Sequence, residues 1–383
     1  MELSEVRKEI DTIDEQLLTL LCRRMDCSLQ VADYKTAHGL PILNEQREQQ
    51  ILERVRTVAE QCGEHYGSAA ALVYSTIMDA SRSLQHHRMQ AGEALRAQLR
   101  NAEKELLPPT KARLVCQGTA GAYSHEAADR LFPGAQPRFV ESFADVFASI
   151  AKDEADYGIL PIENSYAGSV TEVYDLVMNY RFTIAAAAQV AVNHCLVALP
   201  GTQSDAVTTV YSHWQALEQC ADYLTSRGLQ AKEFANTAAA ARMVAASGDH
   251  TIAAIASEKA AELYGLEILD STIQTEDTNS TRFIAISRQP VLSPQANKIS
   301  LIFTLPHVTG SLYRILSRFA MAGLNLTKLE SRPTHGGRFE YLFYLDFEGS
   351  LRDKSTQDML CTLSEELPVF TFLGNYTEWN SFH

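Results

Sequence analysis

The chain has 383 residues, 46% of them hydrophobic and 21% charged, with a formal net charge of −14 at pH 7; these values predict a globular protein of two or three domains and argue against a nucleic-acid or anionic-membrane partner, so any anion site must be built locally. Seven scattered cysteines, with no C-x-x-C pair and no Cys/His metal spacing, predict reduced thiols and no metal. The start lacks a basic-then-apolar signal pattern and no apolar run approaches spanning length, from which a cytoplasmic residence is expected.

Leu3, Val6, Ile10, Ile13, Leu17 and Leu20 recur at three- and four-residue steps, the period of a helix packed on another helix. The predicted helix runs from Leu3 to His38 and stops at Gly39, with Pro41 beyond. Its stripe is interrupted at Arg24 and resumes at Cys27, Val31 and Tyr34. An always-charged guanidinium in a helix seam is costly unless a carboxylate or an anionic ligand meets it. A second helix follows Asn44, its N-cap, and a third covers Ser68 to Gln90. A first helix of roughly 50 Å needs a partner, and a homodimer or a higher homo-oligomer supplies one.

Residues 91–111 are polar, end at Pro108-Pro109 and predict a partly helical linker. From Arg113 strand-like runs alternate with amphipathic helices: Leu114 to Cys116, Tyr157 to Leu160, Val207 to Tyr211, Thr251 to Ile255 and Phe283 to Ile286, with helices such as Phe143 to Ala151 and Gln215 to Ser226. This α/β texture to about residue 288 predicts two lobes, mainly parallel sheets and a cleft at their carboxyl ends. The last stretch reads strand Ile299 to Leu305, helix Ser311 to Ala322, strands Leu326 to Arg332 and Phe339 to Phe347, helix Lys354 to Leu367 and strand Val369 to Gly374. That βαββαβ order is the ferredoxin-like pattern of an α+β module.

Several residue sets carry chemistry. Arg24 and Lys35 are three helical turns apart and share a face. Arg7 lies about 25 Å from Arg24 along the axis, so in an antiparallel dimer it reaches the partner's site. Arg47 and Glu48 stand on the second helix, and Ser81 and Gln85 form an i, i+4 pair on the third. Together they describe a pocket for a small dicarboxylate. These residues resemble the all-helical chorismate mutase family over residues 1–90. The resemblance implies an intertwined helical dimer in which Arg24, with the partner's Arg7, grips the carboxylates of chorismate. It further implies that Lys35 and Gln85 address the ether oxygen, and that Arg47, Glu48 and Ser81 support the pocket or the substrate hydroxyl. Asn44 joins the substrate-binding set, although the family usually has an acidic residue there and the asparagine also caps a helix.

In the middle region Gly118-x-x-Gly121-x-Tyr123-Ser124-His125, Pro161-Ile162-Glu163-Asn164-Ser165, Tyr211-Ser212-His213 and Thr281-Arg282-Phe283 all fall at strand ends. Together they resemble prephenate dehydratase over residues 112–288, with a two-lobed, periplasmic-binding-protein-like fold. The implied reaction removes CO2 and hydroxide from prephenate to give phenylpyruvate. Thr281 is implied as the hydroxyl contact and proton donor, with Glu163, Asn164, Ser165, Ser212 and Gln219 around the substrate. His213 is a candidate acid for which a structural role is favoured, and Trp214 replaces the proline usual after it. Gly310-Ser311-Leu312 and Glu330-Ser331-Arg332-Pro333 resemble the ACT regulatory domain over residues 298–376. That resemblance implies allosteric inhibition by L-phenylalanine; Tyr313 is larger than the usual valine. The combined expectation is a bifunctional, cofactor-free enzyme of phenylalanine biosynthesis with separate sites. A dehydratase with an impaired mutase, motivated by Asn44, and a non-catalytic small-molecule sensor are the competing readings.

Overall fold

The computed structural model describes residues 2–102, 105–275, 279–333 and 341–379. The chain divides into two compact units, one of residues 1–100, 302–345 and 350–370, the other of residues 101–301, 346–349 and 371–383.

The first unit opens with α1 (Leu3–His38), 36 residues long. It stops because Gly39 turns left-handed at φ 62° and the Leu40 N–H returns to the Lys35 carbonyl at 3.0 Å. Asn44 Oδ1 accepts the Arg47 N–H at 3.0 Å and so starts α2 (Glu45–Glu60). α3 (Tyr66–Met89) packs against both. The apolar stripe of α1 faces outward: Leu3, Ile10, Ile13, Leu17 and Leu20 are all exposed, Leu3 by 66%. Residues 93–100, expected in a linker, form the packed helix α4 (Glu93–Arg100). Leu95 and Leu99 are buried, and Arg96 donates to Asp358 at 2.6 Å. Two leucines four apart give this polar stretch one apolar face, which removes it from a free tether.

The second unit holds two lobes. In chain order they comprise β1 (Leu114–Gln117), α5 (Tyr123–Leu131), β2 (Arg138–Val140), α6 (Phe143–Ala151), β3 (Tyr157–Asn164), β4 (Gly168–Ser169), α7 (Thr171–Tyr180) and β5 (Thr183–Ala191). Then come β6 (Cys195–Ala198), β7 (Thr209–Ser212), α8 (Trp214–Gln219), α9 (Ala221–Ser226), β8 (Gln230–Glu233), α10 (Thr237–Ser247), β9 (Ile252–Ala256), α11 (Glu258–Tyr264), β10 (Glu267–Asp270) and β11 (Ser280–Ser287). The helix expected from Gln215 to Ser226 is broken at Cys220. One sheet carries the order β5-β11-β3-β1-β2, the other β10-β6-β9-β7-β8. β1 runs parallel to β2 and β3, while β11 runs antiparallel to β3 and β5. The start of β11 therefore lies beside the carboxyl end of β3.

The last elements are β12 (Lys298–Thr304), α12 (Ser311–Met321), β13 (Leu326–Pro333), β14 (Tyr341–Glu348), α13 (Lys354–Glu366) and β15 (Phe370–Trp379), in βαββαβ order. The expected strand start at Phe339 lies outside the described residues. Within the second unit β15 pairs parallel to β5, Thr377 against Ala186. Among the described residues no helix is long and apolar enough to cross a membrane.

Candidate functional site

The carboxyl end of β3 is tied to the start of β11 by one side chain. Asn164 Oδ1 accepts the N–H groups of Tyr166 (3.0 Å) and Ala167 (2.8 Å), which fixes the turn and the orientation of the amide. Its Nδ2 must then donate, and it does so to Asn279 Oδ1 at 2.8 Å, Thr281 Oγ1 at 2.9 Å and the Ser280 carbonyl at 3.2 Å. Ser165 Oγ accepts from the Ser280 N–H at 2.9 Å. The ladder sets Thr281 opposite Asn164 and Arg282 opposite Glu163, then shifts register before Phe283; such a bulge re-aims side chains at a strand end. Thr281 Oγ1 accepts from Asn164, which leaves its own proton to be donated elsewhere. Thus Glu163, Asn164, Ser165 and Thr281 are brought together.

Asn279 was not expected from the sequence. It is buried, and because its Oδ1 accepts from Asn164 its Nδ2 must face away, where it has no partner among the described residues. A buried donor without a partner is rare, and each one calls for an explanation. The polar run Asn279-Ser280-Thr281 opening a strand was the available signal.

In the other lobe Gln219 Oε1 meets His194 Nε2 at 2.8 Å. His194 Nδ1 meets the Tyr123 hydroxyl at 3.3 Å, and that hydroxyl also donates to the Asn193 carbonyl at 2.8 Å. Burial pushes the His194 pKa down, against the Gln219 bond, so the ring is neutral near pH 7. This fixes the Gln219 amide and leaves its Nε2 as the spare donor. Ser212, expected at the substrate, is instead fully buried, and its hydroxyl donates to the Ile255 carbonyl at 2.7 Å. The resemblance gave the expectation, but β9 takes up the hydroxyl. His213 caps α8, its Nδ1 accepting the Gln215 N–H at 3.4 Å.

The helical unit holds a second polar set. The Arg24 guanidinium donates to Ser81 Oγ and, at 3.5 Å, to the Ile77 carbonyl. Lys35 Nζ donates to Gln85 Oε1 at 3.1 Å and to the Ile42 carbonyl, while Gln85 Nε2 donates to the Ser81 carbonyl at 3.3 Å. Burial lowers the Lys35 pKa; Glu48 opposes this and the Arg82 charge adds to it. Among the described residues neither Arg24 nor Lys35 has a carboxylate partner. Glu48 is taken up by Arg82, which sequence reasoning missed. Arg7, Asn44 and Arg47 are exposed and are not drawn into this set.

Gly310-Ser311-Leu312 form the start of α12, and Ser311 and Leu312 border a cavity of about 350 Å³ shared with Leu305, Val308, Tyr341 and Phe343. Ser311 Oγ is buried there without a partner among the described residues. Glu330 and Arg332 on β13 pair with each other at 2.9 Å, and Ser331 stands between them; none of the three borders this cavity. Among the described residues no group of three or more His, Cys, Asp or Glu side chains is placed to hold a metal.

The chorismate mutase type II family model matches residues 6–86, and the prephenate dehydratase model matches residues 114–291. The chain is 38% identical over 290 residues to arogenate dehydratase 3, chloroplastic, of Arabidopsis thaliana, covering 70% of this chain and 68% of that protein. A prephenate dehydratase from Arthrobacter aurescens, solved in complex with L-Phe, is 29% identical with a TM-score of 0.63, covering 69% of this chain and 90% of that one. A solved protein described as GqqA, a novel type of quorum quenching acylase, is 32% identical with a TM-score of 0.62, covering 69% and 97%. The Arabidopsis relatives are named chloroplastic, which overturns the cytoplasmic expectation. That expectation rested on the lack of an apolar signal, and organelle transit segments are amphipathic rather than apolar, so the lack does not discriminate.

Proposed function

The chain belongs to the prephenate dehydratase family, and from that premise we propose that it converts chorismate to prephenate and then prephenate to phenylpyruvate, under inhibition by L-phenylalanine. The observation that carries the reading is Thr281 Oγ1 held by Asn164 with its proton unspent. Loss of the carboxylate as CO2 and of the ring hydroxyl as hydroxide is driven by aromatisation. The catalyst need only orient the ring, hold its anions and assist the departing oxygen. Thr281 donates to that oxygen. The Asn279 and Gln219 amides are donors for substrate oxygens, and Glu163, Asn164 and Ser165 hold the strand end in place.

The first reaction is a pericyclic rearrangement and needs no nucleophile, only a folded substrate and positive charge at the breaking C–O bond. Arg24 without a carboxylate partner is suited to a substrate carboxylate, and Lys35 with Gln85 to the ether oxygen. Arg7 serves the partner's pocket in a homodimer joined along the outward apolar stripe of α1, and Asn44, Arg47, Glu48 and Ser81 complete or support the pocket. Residues 1–90 act as the mutase, 91–111 as the connection, 112–288 as the dehydratase and 298–376 as a ferredoxin-like ACT module. The effector carboxylate is assigned to the start of α12 at Gly310-Ser311-Leu312. Glu330, Ser331 and Arg332 are assigned to the effector region at the dimer seam.

One assay tests the whole reading. Purified protein is given chorismate, prephenate or arogenate, and the aromatic product is followed with and without phenylalanine. Turnover of none of them refutes the enzyme reading and leaves a sensor. Turnover of prephenate alone selects a dehydratase with an impaired mutase, and a preference for arogenate reassigns the second substrate.

A further inference from the structure

Arg82 is a buried cation that the mutase chemistry above does not use. Its side chain is 8% exposed and meets three carboxylates: Glu48 on α2, Asp79 one turn earlier on α3, and Glu366 on α13, the last at 3.4 Å from Nε. Glu366 also pairs with Arg318 and, at 3.0 Å, with His86. Burial pushes the Glu366 carboxyl up, but the His86 bond and the two guanidinium charges outweigh it and bring its pKa to about 2. A buried ion network of this size is a poor source of stability compared with apolar packing. Its retention at this place asks for another task, and the one group it shares with the proposed mutase pocket is Glu48.

We infer that Arg82 is a positioning residue of the mutase site, holding the Glu48 carboxylate away from Lys35 while Asp79 and Glu366 hold Arg82. This rests on the reading of residues 1–90 as a mutase. Lys35 and Glu48 attract each other electrostatically. Without Arg82 the Glu48 carboxylate turns to Lys35 and neutralises the charge meant for the breaking bond. The guanidinium is suited to the task because its fork serves several carboxylates at once, and it stays charged at any working pH.

The test uses the full-length protein and initial rates on chorismate and prephenate. Arg82→Gln is expected to lower kcat on chorismate on the order of 10- to 100-fold with a smaller change in KM, and Arg82→Lys to recover part of it. Turnover of prephenate stays at the wild-type rate and reports that the dehydratase is intact, and an unchanged helical circular dichroism signal reports that the helical region of each variant is folded. In a Glu48→Gln background Arg82→Gln is expected to add less than about twofold, because no carboxylate is left to stray. An equal Arg82→Gln loss in both backgrounds refutes the inference and leaves Arg82 as a structural clamp. So does an unchanged kcat in Arg82→Gln. If Arg82→Gln also abolishes prephenate turnover, Glu366→Gln, which loosens Arg82 but keeps its charge, replaces it: a selective fall in chorismate kcat supports the inference and wild-type kcat refutes it. If the wild type itself does not turn over chorismate, the mutase reading has failed and the inference falls with it.

Discussion

Asn164→Asp separates the two jobs of the asparagine. The wild-type amide accepts from two turn N–H groups and donates to Asn279, Ser280 and Thr281. Aspartate keeps both acceptors, so the turn survives. It loses every donor and sets a negative charge against the oxygens of Asn279 and Ser280. The Thr281 hydroxyl then turns to donate to the new carboxylate, and its proton is no longer offered to the departing oxygen. Losing one positioned donor at a site of developing charge costs about 3–4 kcal/mol, or roughly 10²- to 10³-fold in kcat. The fold loses only about 1–3 kcal/mol from the unmet bonds. Steady-state turnover of prephenate, read beside urea unfolding, measures both. Asn164→Ala removes the turn as well and is expected to be the less stable of the two. An Asn164→Asp enzyme with wild-type kcat would refute the assigned role of Thr281, because its hydroxyl would be diverted without consequence.

Arg24→Ala is expected to lower chorismate turnover by at least about 10²-fold and leave prephenate turnover intact; equal loss of both activities counts against separate sites. Glu366 has its pKa lowered from the ordinary 4.5 to about 2, so its contribution is complete above pH 4.5 and is lost as pH falls toward 2. At 1.36 kcal/mol per unit the limit is about 3 kcal/mol. Helical circular dichroism during unfolding of wild type and Glu366→Gln should show their stability gap closing across that range, and a gap independent of pH would contradict it. Gly374 sits at φ 155°, and a Cβ there would lie 2.3 Å from the Ile184 carbonyl oxygen. Gly374→Ala is therefore expected to destabilise the second unit by roughly 3 kcal/mol or more, and an unchanged melting temperature would show the strand able to shift.

The helical region was legible because its signals are local. The α1 stripe, Gly39 and Asn44 gave correct limits within a residue or two. The paired ends of β3 and β11 were visible as polar residues after one apolar run and before the other. β5 was not visible: Ala185 to Ala188 carry no β-branched side chain, and an alanine run favours helix on propensity alone. It is a strand because both its neighbours supply ladder partners, which is a tertiary cause. A helix was expected within residues 91–111, but the packing of α4 was hidden by its charge, since only two leucines define its buried face. Arg82 was passed over because an arginine with an acid three residues before it on a helix usually denotes an exposed pair; its burial comes from Glu366, which lies 284 positions further along the chain. Ser212 failed for the opposite reason, a polar residue at the right strand end whose hydroxyl was already satisfied.

The pairing of β15 with β5 has a consequence for how the protein is made. β5 is one of the early strands of its sheet, yet its last neighbour is the final described strand of the chain. At about 5–20 residues per second, the roughly 190 intervening residues leave one side of β5 open for some 10–40 s of synthesis. An unsealed edge of this kind is a template for pairing with another nascent chain. Chains that end early, whether by nonsense mutation, proteolysis or design, should therefore aggregate rather than yield a free-standing catalytic fragment. A C-terminal segment supplied separately as a peptide should compete with that aggregation by taking the empty place in the ladder.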